Sequence, residues 1–402
     1  MAATEENTAL PATMKAVVLT GVNQPLELRT VPVPQVTPGS VIVKIICTSN
    51  DRGIQEAALG HARFTFPTPM IPTARAVGRV AQIGPDTTSL APGQLVLVEP
   101  HVRARDDPDV QILWGMWDGP SAQSKKFARD NWTDACMAEY VRAPLENVYA
   151  LDEAKLCGRL GHAPEDLVHL ATLAILHGGL AAVGLRAGET VLVAPATGYF
   201  SGAAVPVALA MGAGAVVAVG RNAAALERLQ ATFGAERVRT VVTTGDVEAD
   251  AAAMRKAAGP VDVYMDVSPP AASGSSHMRS GFKALGVGAR AVLMGFVPDD
   301  IPLSYTEAMF KNLTVKGKYM YEREDMRGLI KMAESGVLKL GRAAGVEIIG
   351  RYKLEEYETM LHATSNNGDG SKLILTMILF TIKVSAMPIG IYAALSLFLY
   401  VK

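Results

Sequence analysis

The chain has 402 residues, 49% hydrophobic and 19% charged, with 38 Lys and Arg against 39 Asp and Glu for a net charge of −1. That composition is globular and long enough for two domains, and its charge balance excludes an electrostatic footprint for nucleic acid. Cys47, Cys136 and Cys157 are too few and too scattered for a disulfide framework, and MAATEENTALPATMK has neither the apolar segment of a secretory signal nor a basic targeting character. A reducing, cytoplasmic setting is expected.

In chain order, residues 14–20, 26–30 and 40–47 read as β-strands around the turn-rich VPVPQVTPGS. Residues 77–84 and 94–98 continue the pattern, with Gly78, Gly84 and Gly93 as turn or bulge positions. A polar excursion from Arg103 to Asp134 holds Trp114, Trp117 and Trp132, and AEYVRAP follows as a strand. Those tryptophans suit a substrate mouth, a dimer contact, or packing of the excursion itself.

From Pro164 the period changes. Glu165 to Val183 reads as helical, and ETVLVAPATGYFSGAAVPVALAMGAGAVVAVGRN then forms a strand, a small-residue turn, a helix and a second strand. This is a nucleotide-binding βαβ pattern, in which small residues let a pyrophosphate approach the N–H groups at a helix start. Thr197, Gly198, Tyr199, Ser201 and Gly202 are the candidate cofactor residues, although Pro195 and Ser201 stand where glycines are usual. The second strand ends at Gly220, where an NAD enzyme carries an acidic residue about 20 residues beyond the turn. Arg221 follows at once, and an arginine without that carboxylate favours a 2′-phosphate, so the expected cofactor is NADP(H).

Residues 226–233 continue as a helix, and 240–243, 261–267 and 291–295 as short apolar strands with helices between, which implies a parallel, doubly wound sheet. TVKGKYMY reads as a strand that turns Tyr319 and Tyr321 the same way, residues 323–335 as a helix, and Tyr352 onward as a closing strand-to-helix unit. The last stretch is apolar, with 18 uncharged residues from Val384 to Val401. That reaches the lower bound of about 17–25 residues for a membrane span. A tail anchor, a packed C-terminal helix and an extension without a role all stay open.

MKAVVLT, IPTARAVGRVAQIGPDTTSLAPGQLVLV, GLRAGETVLVAPATG, AVVAVGRN, VDVYMDV and NLTVKGKYMYEREDMRGLIKMAESGVLKL together resemble the medium-chain dehydrogenase/reductase superfamily. The resemblance covers about residues 14–377. It implies an α/β protein with a GroES-like β-domain (14–155), a Rossmann NADP-binding domain with a doubly wound parallel sheet (156–315), a return to the first domain (316–377) and a hydrophobic tail (378–402).

Zinc-dependent relatives place a cysteine and a His-Glu pair in the β-domain, and a catalytic zinc takes three protein ligands. The matching residues here are Asn50, with Cys47 nominated by a shifted alignment, and Ala74-Arg75. Neither alanine nor arginine ligates zinc. Residues 101–140 contain only Cys136 where the family's structural zinc needs four cysteines, so no metal is expected at either site. Without a Lewis acid, the easier chemistry is hydride delivery from NADPH to an activated small molecule: an enone, a quinone or a ketone. A metal-free alcohol dehydrogenase or ketone reductase, and a catalytically silent NADP(H)-binding or membrane-tethered protein, stand as alternatives.

Asn50 is the candidate catalytic side chain, as a donor to a substrate carbonyl or to the cofactor ribose, against a turn residue capping the next helix. Arg75 reads either as an anchor for an anion or as an ion-pair member. His177 and Cys47 read as packing residues, the thiol buried and inert. A homodimer, and membrane association through the tail, are both left open.

Overall fold

The computed structural model describes residues 10–50, 53–61, 64–300, 303–367 and 371–378. Two sheets organise the chain. The first joins strands Glu347–Lys353, Lys372–Met377, Ser40–Ser49, Ala76–Ile83, Leu95–Val98 and Val148–Ala150 in that order, with Tyr140–Pro144 also paired to Ser40–Ser49. Strands from both ends of the chain therefore share one sheet, which is antiparallel except for the pairing of Glu347–Lys353 with Lys372–Met377.

The second sheet has six parallel strands in the order Val238–Val242, Ala215–Gly220, Thr190–Val193, Val261–Asp266, Leu285–Leu293, Thr314–Gly317. Ala215–Gly220 is buried at every position and Thr190–Val193 at all but the first. Helices cover both faces of such a sheet, so its central strands read as continuous apolar runs rather than alternating ones. Sequence order reverses between Thr190–Val193 and Val261–Asp266, which opens a crevice at their C-terminal ends.

Helix Leu170–Ala182 is apolar on every side, and ten of its residues are buried. Its Gly178 is required by a close approach, because a Cβ there would lie 2.6 Å from Tyr321 Cβ and 2.9 Å from the Met320 carbonyl oxygen. The helix thereby seats the segment that follows the last parallel strand directly against its backbone.

Three expectations change. The excursion from Arg103 to Asp134 holds a hairpin, His101–Arg103 with Gln111–Leu113, and a helix, Ala122–Asn131, whose cap Ser121 accepts from Ser124 N–H at 3.0 Å. Trp114 is buried and donates through Nε1 to the Asp134 carbonyl at 3.0 Å, and Trp132 packs on it edge to face, so these two pack the excursion itself, whereas Trp117 meets Phe64 and Tyr319. TVKGKYMY is a strand only over Thr314–Gly317, since Met320 adopts a left-handed φ of 53° that breaks the alternation. No helix among the described residues is long and apolar enough to cross a membrane, and the apolar tail read as a candidate span lies outside them.

Candidate active site

The turn after strand Thr190–Val193 runs from Ala194 to the short 3₁₀ helix Ser201–Ala203 and the α-helix Ala204–Ala210. It closes on itself: Gly198 N–H donates to Ser201 Oγ at 3.2 Å, and Gly202 N–H to the Gly198 carbonyl at 2.9 Å. Ser201 is buried, so its hydroxyl shapes the turn from inside. Thr197 sits against the end of the second strand, where a Cβ on Gly220 would lie 3.1 Å from its Oγ1. Arg221 is exposed, and Asn222 caps the next helix by accepting from Ala225 N–H at 3.1 Å. Between the turn and that helix lies a cavity of about 50 Å³, lined by His169, Thr197, Gly198, Gly202, Arg228 and Ser371 among others. The turn lies at the switch point of the sheet, the place where proteins of this architecture hold a dinucleotide.

Tyr199 packs edge-on against Phe200 with ring centroids 5.0 Å apart. Phe200 meets the other sheet, because the buried Arg75 places its guanidinium 5.3 Å from that ring. Arg75 in turn accepts at its carbonyl from Ser49 N–H (3.0 Å) and Thr48 Oγ1 (2.9 Å). Asn50 follows, buried, with Nδ2 donating to Thr376 Oγ1 at 2.9 Å and Oδ1 without a partner, so it does not cap the next helix. The structure thus brings Asn50 and Arg75 to the crevice face that meets the turn. His177 Nδ1 lies 3.4 Å from Asp325 Oδ1, and burial pushes the Cys47 thiol up to about 12.

At positions matched to the family's zinc ligands stand Asn50 and Arg75, both buried, and among the described residues no three His, Cys, Asp or Glu side chains converge to hold a metal ion.

Several contributors escaped the sequence reading. Phe64 meets Trp117 at 5.0 Å and Phe296 at 5.2 Å between centroids, and Trp117 meets Tyr319 at 6.1 Å. Residues far apart in the chain thus form one aromatic mouth. Behind it His101 packs against both Tyr319 and Tyr321. Glu99 is buried, accepting from Tyr321 Oη, Asn147 Nδ2 and His101 N–H, the last at 2.8 Å. Burial raises its carboxyl to about 7, against the lowering effect of those donors, and burial lowers His101 to about 4, which keeps the imidazole neutral.

A second buried network closes the crevice floor. Ser268 Oγ lies 2.7 Å from both Asp266 Oδ2 and His277 Nε2, and His277 Nδ1 lies 2.8 Å from Ser275 Oγ. With serine donating to the carboxylate, Nε2–H donates to Ser268 and Nδ1 accepts from Ser275. Tyr264 Oη lies 3.2 Å from both Asp266 Oδ2 and the Ala194 carbonyl at the root of the turn, while Phe296 N–H donates to the Ser268 carbonyl at 2.8 Å. One network therefore fixes both the turn and an aromatic of the mouth. Nothing in the spacing of Asp266, Ser268 and His277 announces it, because their meeting depends on the sheet.

Such an arrangement defines a class: two-part proteins that hold a dinucleotide across a sheet's switch point. Comparison with known families gives it a finer place. The family model described as alcohol dehydrogenase GroES-like domain matches residues 37–153, and that described as zinc-binding dehydrogenase matches residues 201–335. An L-threonine 3-dehydrogenase of Ruegeria pomeroyi is 27% identical over 378 residues, covering 90% of this chain and 99% of its own, and an alcohol dehydrogenase of Rhizobium meliloti is 28% identical over 331 residues, covering 81% and 89%. Among solved structures, a protein of Sinorhizobium meliloti 1021 described as a zinc-binding dehydrogenase bound to NADP superposes with a TM-score of 0.72 at 21% identity, covering 91% of this chain and 100% of that one. The alcohol dehydrogenase TADH of Thermus sp. ATN1 gives 0.73 at 19% identity with the same coverage. The chain belongs to the medium-chain dehydrogenase/reductase superfamily of oxidoreductases.

Proposed function

We propose that this protein is an NADPH-dependent, zinc-independent oxidoreductase that delivers hydride to an activated, largely apolar acceptor: an enone, a quinone or a ketone. The observation that carries the reading is the end of strand Ala215–Gly220. Gly220 abuts the turn at Thr197, no carboxylate stands there, and the exposed Arg221 follows. A carboxylate would accept from a ribose 2′-hydroxyl and repel a 2′-phosphate, whereas a guanidinium pairs with the phosphate. Bound NADPH would supply the hydride. The turn at Thr197, Gly198, Tyr199, Ser201 and Gly202 would hold its pyrophosphate, and the Phe64, Trp117, Phe296 and Tyr319 mouth suits a flat apolar acceptor.

Zinc independence rests on Arg75. A guanidinium at the position matched to the family's carboxylate cannot ligate Zn²⁺, and the thiol of Cys47 is held protonated by burial. A homodimer through the far edge of the parallel sheet also belongs to this reading. Strand Thr314–Gly317 is exposed along its whole length, with Val287, Tyr305, Met309 and Phe310 exposed around it. A cytoplasmic site of action, on a membrane surface if the tail is an anchor, completes it.

The test is fluorescence titration with NADPH and NADH. Losing the Arg221 contact in Arg221→Ala should weaken NADPH by about tenfold or more and leave NADH nearly unchanged, since a charge-assisted bond contributes about 1.5–3 kcal/mol. An unchanged preference assigns the phosphate to another cation, and absence of NADPH binding by the unaltered protein sinks the enzyme reading. Stoichiometric zinc in the purified protein overturns its metal-free part.

A further inference from the structure

Away from the crevice, the antiparallel part of the molecule carries an open cavity of about 620 Å³ whose lining includes no residue of the nucleotide turn or of the aromatic mouth. Strand geometry makes its floor apolar. Strand Thr13–Leu19 pairs antiparallel with Leu26–Pro32, which sets Met14 opposite Val31, and the period of two turns Val18 to the same face as Met14. Ile71 and Val141 extend that floor. Met14, Val18, Ile71 and Val141 are buried, and Val31 is half-buried. Small-molecule sites are typically of about 300–1,000 Å³, mostly apolar, with a few polar groups that fix the ligand's orientation.

The charged groups here select the ligand. Arg29, Arg129 and Arg142 line the cavity against Asp130 and Asp134, which leaves one positive charge in excess. Arg29 pairs with Glu27 at 2.7 Å, and Asp130 is neutralised by Lys126 at 2.7 Å and Arg129 at 3.2 Å. Asp134 Oδ1 accepts from Ile71 N–H at 3.0 Å. Arg142 differs from the other two arginines. It donates through Nη2 to the Asn131 carbonyl at 3.0 Å, its guanidinium lies 5.6 Å from the centroid of the Trp132 ring, and among the described residues no carboxylate comes within ion-pair distance of it. A guanidinium has five N–H donors in a planar fork that matches a carboxylate, and stacking on an indole holds that fork in place. An apolar floor therefore lies under a fixed cation with donors to spare.

We infer that this cavity is a second ligand site, separate from the crevice, and that it takes an aliphatic monocarboxylate whose chain lies along Met14, Val18, Val31 and Ile71 while its carboxylate meets Arg142. The chain displaces water from the apolar floor, which favours binding in proportion to the area covered. The head group balances the one excess charge, so a monoanion suits the site better than a dianion, which the Asp134 carboxylate would oppose. This inference stands independently of the hydride-transfer reading above, since none of its residues belongs to that site.

The experiment is calorimetric titration of the full chain with octanoate and with octanol, which share a chain and differ in the charge of the head. Octanoate should bind about tenfold more tightly, the equivalent of about 1.4 kcal/mol. Arg142→Gln should bring octanoate down to the level of octanol and leave octanol unchanged, a split that a merely structural role for Arg142 would not produce. Arg142→Lys, which keeps the charge, should retain most of the preference. Val31→Trp fills the floor and should abolish binding of both, with thermal melting of each ligand-free variant showing that it is folded. Saturation with NADPH should leave octanoate binding as it was. Equal affinity for the two probes, a preference that persists in Arg142→Gln, binding that survives Val31→Trp, displacement of octanoate by NADPH, or no octanoate binding at all each overturns the inference.

Discussion

At the scale of single residues, this protein is governed by where charge is allowed to be buried. Arg221 stays in water, whereas Glu99 is enclosed by Tyr321, Asn147 and His101. Burial raises the Glu99 carboxyl from 4.5 to about 7 in the folded chain. The folded state then holds that proton more tightly than the unfolded chain. The group's contribution to stability is therefore full below 4.5 and is lost as pH rises through about 7, on the order of 3 kcal/mol in all. Glu99→Gln cannot titrate. Urea unfolding at pH 4.5 and 7.5 should show the stability difference between the two proteins shifting toward the variant at the higher pH, and a constant difference would mean that Glu99 ionises normally. His101 titrates in both proteins, so its opposite effect cancels in the comparison. Glu99 was invisible in the sequence, where VEPH follows a strand without any sign that Tyr321 would close over it.

At the scale of elements, spacing read well wherever one period persisted. The strand, turn, helix and strand from Thr190 to Gly220 and the helix Arg323–Ser335 were legible because their apolar patterns are long and uninterrupted. The segment after Gly317 was not, since Met320 takes a positive φ that an alternating pattern does not announce. Helix Leu170–Ala182 lies close against this segment at Gly178. Gly178→Ala adds about 1 kcal/mol of helix propensity. It also drives a methyl into Tyr321 Cβ and the Met320 carbonyl, and overpacking of that kind costs about 1–3 kcal/mol. The clash is with backbone as well as side chain, so the net effect should be destabilising, read as a lower urea midpoint. A raised midpoint would show that the Tyr321 segment yields easily.

At the scale of the whole molecule, the proposed function and the proposed dimer each rest on one surface. One is the crevice between the sheets, where the aromatic mouth draws Phe64, Trp117, Phe296 and Tyr319 from four separate stretches of chain. The other is the exposed edge strand Thr314–Gly317. A strand edge on a twofold axis meets its own copy, so an unpaired edge is self-complementary through its backbone. Light scattering should give a dimer for the unaltered protein and a monomer for Val315→Lys, which sets like charges opposite each other across that axis. A Val315→Lys protein that stays dimeric would place the contact elsewhere.

The sequence by itself determined the two-sheet α/β architecture, the nucleotide turn and the absence of a carboxylate beside it, because these follow from local periodicity and from residues close together in the chain. Only the tertiary structure decided that Ser49 and Asn50 would be left with unpartnered polar atoms, that Asp266, Ser268 and His277 would share one network, and that Glu99 would be sealed beneath Tyr321. Burial and partnership are properties of what packs around a side chain, and in this fold the packing comes from residues up to hundreds of positions away.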